Sequence, residues 1–315
     1  MEKFKNLLGI AEIGVYLPET MVSNQDKKSL FDIDDAFLNN KIGIENTRRK
    51  DDKDETSDLC VKAFLDLQKK SAVDKSQIKC VVVVTQNPDG DGLPHTSSIV
   101  HKKLELSDDC AAFDISLGCS GFVYGLSVIE SFMAANHIKA GLLFTCDPYS
   151  KIVDTKDKNT SLLFGDAAAV TLITDTPRFR SLAFSFGTRG SGGEALFSEN
   201  RVLTMDGRAV FNFSAVEVPV QIRKILEVNT ISLEEIDIFL LHQGSKYIID
   251  TITKRLGIPI DKVPTNLKNI GNTVSSSIPL LLNNYLYNNE IKNVLISGFG
   301  VGLSWASGLL QRVDQ

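Results

Sequence analysis

Two stretches of this chain superimpose without a gap. LGCSGFVYGLSVIESFMAANHIKAGLLFT (117–145) lies over IGNTVSSSIPLLLNNYLYNNEIKNVLISG (270–298), with Gly118 on Gly271, Asn136 on Asn289 and Ile138-Lys139 on Ile291-Lys292. The offset is a constant 153 residues, close to half of the 315-residue chain. A second echo, with a one-residue slip, joins QIKCVVVVTQ (77–86) to EIDIFLLHQ (235–243). Internal similarity at a fixed spacing is the mark of a duplicated unit. It predicts two like halves, 1–175 and 176–315, each running helix, strand, helix, strand. The same offset sets Cys119 on Asn272, both at the N-terminal ends of equivalent helices near a pseudo-two-fold axis. His242 ends a strand whose counterpart closes at Thr85-Gln86. Three polar residues from distant sequence thus converge near the middle of the molecule.

Apolar runs that read as buried strands are 7–17, 80–86, 111–117, 141–147, 167–174, 236–243, 293–300 and 302–312. Between several of them lie stretches with apolar residues at helical spacing: 56–71 behind a Thr/Ser cap, 120–136, 214–228 and 245–256. Strands alternating with helices predict an α/β fold with much parallel sheet. Runs such as CVVVV, which do not alternate with polar residues, predict sheets covered on both faces. No Gly/Ser/Pro linker separates the halves. The polar segments 148–162 and 187–202 read as loops that line a site.

Composition excludes several classes of function. Net charge is −5 and no basic block occurs; RRK at 48–50 runs straight into DDKDE and reads as a solvated loop, so no nucleic-acid surface is expected. Cysteines stand at 60, 80, 110, 119 and 146, an odd number with no C-x-x-C. That argues against zinc and against a disulfide framework, and suits a reducing compartment. The start MEKFKNLLGIAEIG lacks the features of a signal peptide, and no apolar run reaches membrane-span length, so a cytoplasmic protein is expected. No G-x-S-x-G elbow, Walker loop, H-E-x-x-H or dinucleotide fingerprint is present.

Cys119 lies between Gly118 and Gly121, where a strand run gives way to a helical one. A helix start favours thiolate over thiol, and the glycines permit a tight turn and leave room for a substrate chain. A free cysteine is also a common small core residue. His242 in LLHQGS reads equally as a satisfied core histidine, and Asn272 in IGNTVSSS as a helix cap. The repeat offset binds the three into one candidate site. His95, His101 and His137 read as surface residues.

The motifs DISLGCSGFVYGL, FGDAAAV, GSGGEAL, LTMDGRAVF, LHQGS, NIGNTVSSSIP and GFGVGLSWASGLL occur in an order that resembles the β-ketoacyl-(acyl carrier protein) synthase III family, from about residue 7 to the end. The resemblance implies a thiolase-like fold: duplicated α-β-α-β-α halves in a five-layered sandwich, assembled as a homodimer. It implies a Cys119–His242–Asn272 triad, with no metal or redox cofactor. Cys119 would take an acyl group from acyl-coenzyme A as a thioester. His242 and Asn272 would hold the thioester oxygen of malonyl-acyl carrier protein while it decarboxylates and attacks the acyl group. The backbone N–H groups of Cys119 and Val301 match the oxyanion hole. Phe37, Leu93, Lys158, Gly207, Gln243, Gly244 and Ser245 match substrate-binding positions, and Lys246, Lys254 and Arg255 match carrier-protein docking positions.

This chain departs from the family pattern at several of them. Phe37 stands where a Trp often stacks on the coenzyme's adenine. Lys158 replaces an arginine on the other adenine face and lacks its planar group. Tyr247 replaces a basic residue, and Leu117-Gly118 replaces a smaller lead-in to the cysteine. Leu93, at the position the partner subunit lends to the acyl pocket, is smaller than a family Phe and implies a longer or branched primer. The altered adenine clamp motivates an alternative: a thiolase-fold acyltransferase of a specialised pathway that works without decarboxylation. A non-catalytic subunit fits less well, because the triad is intact. A hydroxymethylglutaryl-type synthase would want a glutamate near Thr85-Gln86-Asn87.

Overall fold

The computed structural model describes residues 8–313; residue 7 of the first predicted strand lies outside them. In chain order the main elements are β1 (Gly9–Tyr16), α1 (Thr56–Lys70), β2 (Cys80–Val84), α2 (Thr96–Leu104), β3 (Ala111–Ile115), α3 (Gly121–Ala135), β4 (Ala140–Cys146), β5 (Ala168–Thr174) and β6 (Phe179–Thr188). There follow α4 (Gly207–Val228), β7 (Ile238–Leu241), α5 (Lys246–Leu256), α6 (Ser277–Asn283), β8 (Asn293–Gly300) and β9 (Ser304–Arg312). A hairpin of Leu196–Glu199 and Val202–Met205 stands apart from the main sheet.

The strands join in the order β7-β8-β9-β6-β1-β5-β4-β2-β3. Outward from the β6/β1 junction, each side runs antiparallel, antiparallel, then parallel. The junction itself is slight: Gly9 pairs with Arg180 and Ile10 with Phe179. Two similar sheets therefore meet along one short seam. β3 extends the first sheet, in parallel with β2, and has no strand opposite it in the second among the described residues.

The five residues of β2 are fully buried, and they divide by alternation. Val81 and Val83 pack under α1 and α2 with Leu59, Phe64 and Val100. Val82 and Val84 face the middle of the molecule, where α3 (Phe122, Leu126, Ile129) and α6 (Ile278, Leu281, Leu282) lie between the sheets. That central core also takes Leu240, Ile296 and Leu310 from the second sheet. The second sheet's other face, with Phe239, Leu241, Leu295 and Phe299, is covered by α4 and α5 through Phe213, Ile222, Ile249 and Ile252. The layers are therefore helix, sheet, helix, sheet, helix.

Several elements differ from the sequence expectation: α2 is not among the expected helices, and the Leu196–Glu199 strand of the hairpin lies in the segment 187–202 expected to be loop. β6 gives no apolar run, because Arg180, Ser181 and Ser185 interrupt it and one face is open, with Leu182 and Phe186 exposed. α4 begins at Gly207 rather than 214, since Asp206 Oδ1 accepts from Arg208 N at 2.9 Å and Ala209 N at 3.0 Å and so starts the helix early. α1 is preceded by Glu55 rather than a Thr/Ser cap, and Asp58 Oδ2 accepts from Glu55 N at 2.9 Å.

Candidate active site

Cys119 sits in the turn between β3 and α3, closed by Gly121 N donating to Gly118 O at 2.7 Å. The glycines here serve close packing rather than room for substrate. A methyl on Gly118 would stand 2.5 Å from Gln86 Oε1 and 2.9 Å from Val301 Cγ1, while one on Gly121 would strike Val84. β8 passes tightly against the turn. A methyl on Gly300 would lie 2.7 Å from Cys119 Sγ, and one on Gly298 would lie 2.5 Å from Cys119 O.

The thiol is 3% exposed. Burial, and then the nearby Asp147 carboxylate, push its pKa up to about 12; the backbone N–H groups of Val301 and Cys119 pull the other way. The helix start therefore does not yield a standing thiolate. It yields a buried thiol whose proton is held by its surroundings. Asp147, fully buried at the end of β4, accepts from Gln86 N and Ser275 Oγ, each at 2.6 Å, and burial raises its own pKa to about 6.

His242 follows β7 and is anchored by its N–H to Ser297 O at 2.8 Å. Its ring stands edge-on to Phe299 with centroids 5.5 Å apart. Burial lowers its pKa to about 3, so the imidazole is neutral near pH 7. Nδ1 lies 2.8 Å from Ser277 Oγ, and that hydroxyl is also 3.0 Å from Val274 O. Nε2 is left as the polar edge toward the cavity. Asn272 Oδ1 accepts from Val274 N at 2.9 Å, which fixes the amide and leaves Nδ2 as a donor. Val274 itself has φ 52°, a costly conformation for a β-branched residue, held by these two bonds between the histidine and the asparagine.

All three side chains line one cavity of about 680 Å3. Phe37, Lys158, Gly207, Gly244 and Ser245 line it as well. Phe37 and Lys158 meet each other, with Lys158 Nζ over the Phe37 ring at 4.9 Å from its centre. Gln243 does not line the cavity. It is fully buried and spans the loop, donating to Leu241 O at 2.8 Å and accepting from Asn266 N at 3.1 Å. Leu93 is 94% exposed and lies outside the cavity of its own chain. Val301 turns its side chain into a second, neighbouring cavity. Lys254 and Arg255 are exposed, whereas Lys246 is paired with Asp250.

Sequence reasoning missed Lys41 and Arg208 at the cavity and the Phe211–Tyr247 stack beside them, with centroids 4.8 Å apart. It also missed Ser277 and Asp147. A signal existed for Asp147, a carboxylate directly after the apolar run GLLFTC. Among the described residues no cluster of three or more His, Cys, Asp or Glu could hold a metal, and no helix is long and apolar enough to cross a membrane.

The chain matches the family models described as 3-oxoacyl-[acyl-carrier-protein] synthase III, over residues 113–190, and its C-terminal part, over 226–312. It is 34% identical to the β-ketoacyl-[acyl-carrier-protein] synthase III of Streptococcus gordonii, with 95% of this chain and 97% of that protein covered. A 2.1 Å crystal structure of a 3-oxoacyl-(acyl-carrier-protein) synthase III superimposes with a TM-score of 0.90 at 31% identity, covering 96% of this chain and 99% of the other. The corresponding enzyme of Thermus thermophilus gives 0.89 at 29% identity, covering 98% and 100%.

Proposed function

The chain belongs to the 3-oxoacyl-(acyl carrier protein) synthase III family, a family of acyl-transferring condensing enzymes, and on that premise we propose how its own residues carry out chain initiation. Acyl-coenzyme A enters the large cavity, and Cys119 Sγ forms a bond to the acyl carbonyl carbon. The thiol proton leaves on the departing coenzyme A sulfur as the old thioester bond breaks. The carbonyl oxygen takes the N–H groups of Cys119 and Val301.

Malonyl-acyl carrier protein then occupies the same cavity. Its carboxylate leaves as carbon dioxide, and the enolate oxygen is held by Asn272 Nδ2 and by His242 Nε2–H. The Ser277 hydroxyl can turn its proton either to Val274 O or to Nδ1; when it serves Nδ1, Nε2 carries the hydrogen. A histidine that burial keeps neutral donates this bond without changing charge. The carbanion attacks the acyl carbon, Cys119 departs as a thiolate that takes up one proton from solvent, and β-ketoacyl-carrier protein is released. No metal or redox cofactor enters these steps.

Lys41, Lys158 and Arg208 at the cavity supply cations for the phosphates of coenzyme A or of the carrier's prosthetic arm. Lys254 and Arg255 are the proposed carrier-docking residues. Lys246 is the lesser candidate, given its ion pair with Asp250. A homodimer is supported by an apolar face along the free edge of β3, α3 and β6, where Phe113 meets Phe132 and Tyr124 meets Phe186. In such a dimer the exposed Leu93 would reach the partner's site. The halves 1–175 and 176–315 are read as copies of one unit, supported by the mirrored strand order. The cytoplasm is the proposed location.

The observation that carries the reading is the meeting of Cys119, His242 and Asn272, from three separate elements, in one cavity. Purified protein given acetyl-coenzyme A and malonyl-acyl carrier protein should release carbon dioxide only when both are present. Acyl transfer with no malonyl-dependent release would reject it in favour of a non-decarboxylating acyltransferase.

A further inference from the structure

A third cavity, of about 450 Å3, opens outside the site described above. One wall is the two-stranded ribbon of Met21–Ser23 and Asn46–Arg48, which supplies Val22 and Arg48. Another is the segment 150–161, through Val153, Thr155 and Lys156. Phe164 lines both this cavity and the main one, and so stands between them.

Four cations line it: Lys27, Arg48, Arg49 and Lys156. The chain gives them little counter-charge. Lys27 Nζ donates to Ser161 O at 2.7 Å, and Arg48 donates to the carbonyls of Pro18, Glu19 and Asn269, so both are held by neutral oxygens. Arg49 has only Asp52, at 3.6 Å and with its side chain 90% exposed. Asp154 Oδ1 accepts from the Lys156 backbone N at 2.9 Å. The buried Asp166 is taken up by Lys50 N at 2.9 Å, Ser150 N at 3.1 Å and Ser150 Oγ at 2.5 Å. Among the described residues, no carboxylate forms an ion pair with Lys27, Arg48 or Lys156. Burial, and then the Arg49 guanidinium, lower the pKa of Lys27, so these two like charges oppose each other. Like charges gathered in a partly buried concavity, without a counter-ion from the chain, favour an anion from solution. Leu30, Val153 and Phe164 add an apolar wall beside them.

We propose that this third cavity binds a phosphorylated small molecule, with the phosphate held between Lys27 and Arg49 and an apolar part of the ligand against Leu30, Val153 and Phe164. A phosphate dianion matches several cations better than a singly charged carboxylate does. The site is separate from the coenzyme's cavity and does not depend on the role of Cys119.

The test is titration calorimetry of the full-length protein with phenyl phosphate, inorganic phosphate and benzoate, each with and without excess coenzyme A. Phenyl phosphate carries both the dianion and the ring, and should bind one-to-one, about tenfold or more tighter than either of the others. Arg49→Gln and Lys27→Gln should each weaken it about tenfold. Lys139→Gln, which removes an exposed lysine outside the cavity, should leave it unchanged. Thr155→Trp, at an exposed position on the wall, keeps every cation but fills the space, and should abolish binding. Thermal unfolding at the wild-type temperature confirms that each variant is folded. No saturable binding of phenyl phosphate, equal affinity for benzoate, or affinity unchanged in both Arg49→Gln and Thr155→Trp overturns the proposal. So does binding that coenzyme A abolishes, since the phosphate site is then the coenzyme's own. Failure of Cys119 to accept an acyl group would refute the reading of the active site and leave this outcome untouched.

Discussion

Cys119 holds its proton more tightly than a free thiol, because burial and the neighbouring Asp147 both oppose a second negative charge. Asp147 titrates at about 6, above its ordinary 3.8, so it is anionic at pH 7 and gains a proton as pH falls through that value. Asp147→Asn removes the repulsion permanently. The acylation rate of that variant should rise at a lower pH than in the wild type, read as the pH profile of coenzyme A release; an upward shift would contradict this role. In the proposed mechanism His242 and Asn272 act in the second half-reaction. His242→Ala and Asn272→Ala should still accept an acyl group but lose condensation by about 10²–10³ each, the usual loss for one oxyanion donor. Equal loss of both half-reactions would mean the roles are wrongly divided.

At the scale of elements, α3 packs on β6 through Glu130, a buried carboxyl that accepts from Ser181 Oγ at 2.9 Å. Burial raises its pKa from 4.5 to about 8. Between those values the folded chain holds a proton that the unfolded chain has released, so this group's stability contribution is full below 4.5 and is lost as pH rises toward 8. Glu130→Gln should flatten the fall in stability over that window, measured by denaturant unfolding at several pH values; an unchanged slope would assign it elsewhere. The elements also show what sequence could reveal. β2 and β8 were legible, because strands covered on both faces carry unbroken apolar runs. β6 was not, because a half-open strand tolerates Arg180 and Ser185. The second copy of the repeated helix is reduced to Ser277–Asn283, after Val274 turns to positive φ, a local conformation no periodicity reveals. Cys119, His242 and Asn272 were legible from the offset and the motifs. Ser277 was not, since its significance lies in which polar atoms meet after folding.

Across the whole molecule, a net charge of −5 would repel an acidic carrier protein unless docking is local. Lys254 and Arg255 end α5, and Arg223 of α4 donates to the carbonyls of Arg255 and Leu256, so three cations share one surface. The double variant Lys254→Glu, Arg255→Glu should raise KM for malonyl-acyl carrier protein about tenfold or more and reduce its salt dependence, with acyl loading from coenzyme A unchanged. Unchanged KM would move the docking surface elsewhere. The central claim, that the two sheets and the helices between them exist here to bring an acyl-accepting thiol beneath His242 and Asn272, has a direct measurement in intact mass spectrometry. After incubation with an acyl-coenzyme A, the wild type should gain one acyl group, lose it when malonyl-acyl carrier protein is added, and show no gain as Cys119→Ala. An adduct that persists on Cys119→Ala would contradict the account.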